Sequence, residues 1–288
     1  MKFITRFLTK RKIRSQFGPI VSRDILNQLQ NFISPVVTHG ELAEITFLTC
    51  TVKLSAVAGQ CMTASDTVAA LRIFYSHMKN IILANHGTVN SVTDGVVTAF
   101  WNAPIPVGSH REQAIRCALV MTQSLLELNK THRSSVLVID AIVAVATAES
   151  VVGNTGSADA WHYTCMGKAV REANSLCNQA DRYKVMAVAC SDTVKHLDTT
   201  WVTALLDETT HVYALLDQYP QMATPDHIKI ARITHRKFLN AYREQRYDMA
   251  IKIAYSLKSA WNYKLRDYYT TMIGQCELMR SQMKTQVL

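Results

Sequence analysis

Seven cysteines stand singly along the 288 residues, with no CxxC pair, and no histidine cluster has the spacing of zinc ligands. That pattern argues against a metal ribbon or a disulfide scaffold and fits free thiols buried in a reducing compartment. Long hydrophobic runs are missing too. No apolar stretch reaches the roughly 18 residues that a membrane-spanning helix needs. Val136 to Ala148 comes nearest, but Asp140 interrupts it and the stretch suits a buried strand better. Basic residues at the N-terminus are not followed by a continuous apolar region, as a secretory signal would require. The phosphate-loop pattern GxxxxGKS/T, the zinc-protease pattern HExxH and the nucleophile elbow GxSxG are all absent, which removes three large enzyme classes.

What is present is an apolar share of 48%, ample for a packed core, and a net charge of +9 that is unevenly placed. Residues 1–24 hold seven cations against one anion and residues 219–288 hold twelve against five, whereas residues 25–218 hold twelve against sixteen. A nucleic-acid-binding domain carries its positive field on the folded core, so the mildly acidic core argues against nucleic acid as a partner. Basic ends suit solvated helix faces, an acidic partner or an anionic membrane surface. Phe3, Ile4, Phe7 and Leu8 lie on one helical side among basic residues, so a weak anionic membrane contact is expected of residues 1–14.

Periodicity divides the chain into residues 1–40, 41–218 and 219–288. Glu44 to Leu54 alternates as a first strand. Ser65 or Asp66 can cap a helix carrying Val68, Leu71, Phe74, Met78 and Ile82 at helical spacing, with Gly87 to end it. Asp94-Gly95 between Val89–Val92 and Val96–Trp101 predicts a tight hairpin. Ser109-x-x-Glu112 opens a helix to about Asn129, and Val136–Ala148 is expected to be the longest strand. Gly153-Asn154-Thr155-Gly156 reads as a strand-connecting turn before an anion-binding one. A helix to about Ala180 and a strand at Val185–Cys190 follow. Ser191 caps a short helix, and Trp201–Leu206 pairs with His211–Leu216 in a closing hairpin. Beyond Pro220 and Pro225 two amphipathic helical runs are expected, one through Phe238, Tyr247 and Ala254, the other over Trp261–Met279. The predicted class is α+β: a mostly antiparallel, ferredoxin-like sheet with helices, then a small helical C-terminal region.

Two stretches carry a family resemblance. Val151 to Val170 reads VVGNTGSADAWHYTCMGKAV, and Val92 to Pro104 reads VTDGVVTAFWNAP. In this order and at this distance they resemble the GNxGS turn, the YTxxG stretch and the GDG hairpin of the class III adenylate/guanylate cyclase catalytic domain. KIRSQFGPIVSRDILNQL is similar to the connector that precedes bacterial members, so the chain resembles an output domain without its own sensor. FLNAYREQRYDMAIKIA with YYTTMIGQCELM is similar to the tetratricopeptide-like hairpin that trails bacterial cyclase domains.

The resemblance implies two metal-binding aspartates, a purine-reading pair and charge-stabilising groups on a helix. Thr51 falls at the first metal position, in LTCTVKLS, where the family pattern is like FxDIxGFT. Threonine carries no charge to offer a hard cation. Asp94 retains the second, although an Asp-Gly turn needs it without any metal. Asn90 stands at the purine-reading lysine and His162 at its partner position; both can still hydrogen-bond a base. In Val170-Arg171-Glu172-Ala173-Asn174-Ser175-Leu176, matched to VNxAxRL, Arg171 replaces the asparagine and Ser175 the arginine. Turn and core residues are kept, and those that put charge on the substrate are lost.

The expectation is therefore a cytoplasmic pseudocyclase in cyclic-nucleotide signalling, able to sit at the inner face of a membrane. It would act as a homodimer that binds a nucleotide or another signalling protein, and it would need no cofactor. The alternative is an atypical active cyclase that converts ATP or GTP, with magnesium or manganese at Asp94 and Arg171 on the phosphates.

Overall fold

In the computed structural model, residues 2–31, 40–57, 59–131, 137–157, 161–219 and 225–286 are described. The contacts cluster into two units, residues 1–177 and 178–288. Val136, Pro220 and the side chains of Phe3, Ile4, Phe7 and Leu8 lie outside the described residues.

The first unit opens with two helices, α1 (Lys2–Phe17) and α2 (Arg23–Asn31), followed by strand β1 (Glu41–Ala56). Helix α3 (Ala64–Ala84) is capped two residues before Ser65, by Thr63: the Thr63 hydroxyl accepts from the Asp66 amide and the Asp66 carboxylate accepts from the Thr63 amide. Asp66 is thus the third residue of the helix rather than its cap, because only from there can its side chain reach back to Thr63. The helix stops at Asn85, ahead of Gly87; a side chain at Gly87 would run into Trp101 and Ile82.

Strands β2 (Thr88–Thr93) and β3 (Val96–Trp101) form the hairpin the sequence announces. Asp94 and Gly95 both take left-handed φ, 52° and 77°, as a two-residue turn of this kind demands. Helix α4 (His110–Thr131) leads to β4 (Leu137–Asn154), which is the longest strand and runs on through Val151–Asn154. It does so because β5 (Tyr163–Gly167), the YTCMG stretch, pairs with it antiparallel, Val152 opposite Cys165. The sequence reading missed β5: five residues entering a helix show too little alternation to be told from a turn.

Within this unit the order is β2–β3–β1–β4, with β5 also on β4 and every pairing antiparallel. Phe47, Leu48, Phe74, Met78, Phe100, Ile115 and Val145 are fully buried and form its core. Helix α5 (Lys168–Tyr183) follows β5.

The second unit holds β6 (Ala187–Cys190), the short α6 (Ser191–Val194) and the hairpin β7 (Trp201–Asp207) and β8 (Val212–Gln218), ordered β6–β8–β7. The helical region is α7 (Asp226–Arg243), α8 (Tyr247–Leu257) and α9 (Arg266–Gln286). The single run expected through Tyr247 is thus broken in two. Gln245 takes a left-handed φ of 58°, and a helix cannot pass through that conformation.

Side chains from these helices satisfy carbonyls of the hairpin. Arg232 donates to Trp201 O at 2.8 Å, and Tyr268 Oη to Leu206 O at 3.0 Å. His235, Tyr269 and Trp261 form a buried relay. Trp261 Nε1 donates to Tyr269 Oη at 3.0 Å, that hydroxyl lies 2.8 Å from His235 Nδ1, and His235 Nε2 reaches Leu205 O. The relay closes with every group satisfied only if Tyr269 donates to a neutral His235 protonated on Nε2. Burial holds the imidazole neutral, pushing its pKa down to about 4.

The α8–α9 connection is strained. Trp261, Asn262 and Tyr263 all have positive φ, 56°, 52° and 64°. Trp261 is held there by burial and its bond to Tyr269, whereas the Tyr263 side chain is 63% exposed. Tyr263→Gly should therefore stabilise the protein by about 1 kcal/mol, because glycine pays no steric penalty at that φ. Urea unfolding with an unchanged slope and a higher midpoint would show it; a lower midpoint would mean that the tyrosine ring contributes more than the strain costs.

Candidate functional site

Thr51 and Asp94 come side by side. Thr51 is opposite Val96 in the β1–β3 register, and the Val52 amide donates to Gly95 O at 2.8 Å. The Gly95 amide in turn donates to Tyr75 Oη at 2.7 Å, which holds the turn while Asp94 is exposed at its tip.

Thr51, however, is not at the end of a strand. β1 continues through Val52–Ala56 in register with Ala141–Leu137 of β4. Three residues after the aspartate the family pattern has glycine, and this chain has Leu54, so nothing local ends the strand. The Thr51 hydroxyl points at the Cys177 thiol, 4.0 Å away on α5. Burial pushes that thiol up to about 11, against the opposing hydrogen bond from Thr51, so both groups are neutral at physiological pH. Among the described residues no group of three or more His, Cys, Asp or Glu is placed to hold a metal ion. One exposed carboxylate beside a threonine does not fit a two-metal centre.

Asn90 occupies the bulge of β2, between Val89 and Ser91. Its Oδ1 accepts from the Thr164 hydroxyl at 2.7 Å and from the Cys165 amide at 3.2 Å, and its Nδ2 donates to Thr98 Oγ1 at 3.1 Å. The Ser91 and Thr98 hydroxyls lie 2.7 Å apart. Asn90 thus ties β2 to β5, and only one amide proton is left to read a base. Asn90→Lys, which restores the family's residue type, should destabilise the protein by about 2 kcal/mol, since the partly buried Thr164 hydroxyl and Cys165 amide lose their acceptor. A thermal melt at or above the wild-type midpoint would contradict this.

His162 lies just before β5 with its side chain exposed. Its amide donates to Asn154 Oδ1 at 2.8 Å, and its carbonyl accepts from the Thr155 amide at 2.9 Å. The Asn154 side chain also accepts from the Gly156 amide at 3.1 Å, so the Gly153–Gly156 stretch serves as part of a strand connection.

Arg171 and Ser175 are one turn apart on the exposed side of α5. Between them Asn174 Oδ1 accepts from Thr49 Oγ1 at 2.9 Å, which fixes the helix against β1. Among the described residues no hydrogen bond or ion pair joins Asp94, His162, Arg171 or Ser175 to one another. The structure therefore brings Thr51 to Asp94 and Asn90 to β5, and leaves Arg171 free to meet a ligand or another chain.

Two features escaped sequence reasoning: the hydroxyl cluster of Ser91, Thr98 and Thr164 around Asn90, and an aromatic cluster of Phe17, Trp161 and Tyr163. Phe17 meets Trp161 edge-on at 4.6 Å and Tyr163 at 5.3 Å. Alternating hydroxyl residues on the hairpin were the only available signal for the first; residues this far apart in the chain gave none for the second.

No family model matches the chain. It is 30% identical over 138 residues to Adenylate cyclase 1 of Rhizobium meliloti, covering 45% of the chain and 21% of that protein. An uncharacterized Mycobacterium tuberculosis protein is 23% identical over 185 residues, 64% of the chain and 33% of that protein. The chain thus spans a third or less of these curated relatives.

Among solved structures, the adenylyl cyclase CyaB from P. aeruginosa superimposes with a TM-score of 0.53 at 15% identity, over 64% of the chain and 100% of CyaB. The guanylyl cyclase Cya2 gives 0.52 at 18%, over 64% and 98%. A bacterial light-regulated adenylyl cyclase gives 0.56 at 16%, over 81% of the chain and 68% of that structure. The chain therefore resembles an adenylate cyclase in sequence over 138 residues and has the α+β fold of class III adenylyl and guanylyl cyclase domains.

Proposed function

We propose that this is a cyclase-homology protein of cyclic-nucleotide signalling that no longer cyclises nucleotides. It acts as a homodimer, by binding a nucleotide or a signalling partner. The observation that carries this reading is Thr51: an uncharged residue in mid-strand, facing a neutral thiol, where catalysis needs a metal-binding carboxylate at a strand end. Ser175 in place of an arginine removes a second charge that the transferring phosphoryl group requires.

The kept fold supports self-association, because class III sites form between two such domains. His162 and Arg171 are the exposed polar groups left to meet a ligand, with one remaining proton of Asn90. A single carboxylate at Asp94 repels a triphosphate less than two would. Retention of Asp94 is the one observation on the side of residual catalysis. The deciding experiment is turnover of ATP, GTP, CTP and UTP with magnesium or manganese, by wild-type and Asp94→Ala protein.

A further inference from the structure

Helix α7 carries apolar side chains on two opposite sides, and only one side serves the core. Ile228, His235 and Phe238 are buried within the second unit. On the other side Ile230 is 64% exposed and Ile233 60% exposed. The helical neighbours of Ile233, three and four residues away in each direction, are Lys229, Ile230, Arg236 and Lys237, and all of them are exposed. An isoleucine in water is thus ringed by a second isoleucine and three cations.

Nothing in the folding of the chain requires this arrangement. β-branched residues are only moderate helix formers, and a polar residue at either position would leave the core intact. Asp226 is the only acid on α7 and pairs with Lys229 at 2.9 Å. Arg236 and Lys237 have no ion-pair partner among the described residues. The charge around them has the same sign, since residues 219–288 hold twelve cations against five anions.

The five side chains of this face are all exposed, so the face is a ridge and offers no groove to a peptide partner. A flat anionic bilayer suits a ridge better. The isoleucines can enter the acyl boundary while the long stems of Lys229, Arg236 and Lys237 keep their charged ends among the lipid phosphates. We propose that α7 is a membrane-docking helix that lays this face on an anionic lipid surface. The proposal concerns the second unit alone and does not depend on nucleotide binding by the first.

Flotation of the full-length protein with vesicles tests it. The wild type should bind vesicles of phosphatidylglycerol and phosphatidylcholine, leave vesicles of phosphatidylcholine alone, and be released by salt. Arg236→Gln with Lys237→Gln should weaken binding about thirtyfold. Ile230→Ser with Ile233→Ser should weaken it about tenfold or more. Ile233→Trp should tighten it about threefold, because an indole favours the bilayer interface. All of these positions are exposed, so each variant should keep the wild-type urea midpoint.

A wild type that binds neither kind of vesicle overturns the proposal. Binding that both double variants leave unchanged overturns it too, and places the contact elsewhere, as on the basic residues 1–14. Loss in the charge variant alone, with the serine and tryptophan variants at wild-type affinity, rules out docking through the isoleucines. A wild type that ignores vesicles and is retained by an immobilised acidic peptide overturns it in favour of a protein partner.

Discussion

Assayed with manganese and ATP or GTP beside an active cyclase, the protein is expected to form cyclic nucleotide at no more than roughly a thousandth of the comparator's rate. The magnitude follows from what is missing. A guanidinium placed on the developing phosphoryl charge is worth about a thousandfold or more in phosphoryl transfer, and Ser175 stands in its place. Thr51 removes a metal ligand as well, and the two losses act on the same transition state. Asp94→Ala should change nothing, because the turn carboxylate has no partner for a metal centre. Thr51→Asp should not restore turnover either. A carboxylate there would sit in the middle of β1, beside Cys177, with Asn90 and Ser175 still in place. Product above the threshold that disappears in Asp94→Ala protein would show that the atypical-enzyme reading is the right one.

The second large effect is on stability. Between pH 6.5 and about pH 4 the residues 178–288 should lose on the order of 3 kcal/mol through His235 alone. The unfolded imidazole titrates near its ordinary 6.5, whereas burial holds the folded one neutral down to about 4. Above pH 6.5 both states are neutral and the full stability is present. As the pH falls through the window the unfolded chain gains a proton that the folded chain cannot take. Below about 4 both forms are protonated and this contribution no longer changes.

Asp207 acts in the same direction at lower pH. Burial opposes its charge, but hydrogen bonds from Tyr183, Thr210 and Thr209 outweigh that and hold its carboxyl below the usual range. Its contribution is present above the ordinary carboxylate pKa and is lost as pH falls through the depressed one. His235→Gln keeps a donor for Leu205 O and removes the titration. Urea midpoints of that variant, followed through probes in α7 and α9, should be nearly flat between pH 6.5 and 4.5. A wild-type midpoint equally flat over this range would sink the assignment.

Much of the fold was legible in the residues. Asp94-Gly95 announced its hairpin because two successive left-handed positions leave few alternatives; alternation located β1, and the apolar run from Val136 to Ala148 located β4. The candidate site was legible at the level of charge: Thr51, Asn90 and Ser175 are uncharged where the family resemblance implies charged groups, and that is a property of residue type. The break at Gln245 was hidden because the apolar spacing from Phe238 to Ala254 is helical on both sides of it. The sequence reading carried β1 past Thr51 as far as Leu54 but not to its end, since Ser55 and Ala56 take their strand form from pairing with Val138 and Leu137.

By itself, then, the sequence determined the α+β class, the hairpins and which side chains can carry charge, because turns and charges are local properties of residue type. Tertiary structure alone decided what those side chains are used for. Asn90 became a strand tie because Thr164 and Cys165 arrive opposite it from 74 and 75 residues away. Thr51 became a strand interior because β4 runs alongside it. His235 became neutral because Leu205, Trp261 and Tyr269 close around it. Each outcome depends on partners brought from distant parts of the chain, and spacing along the chain does not specify them.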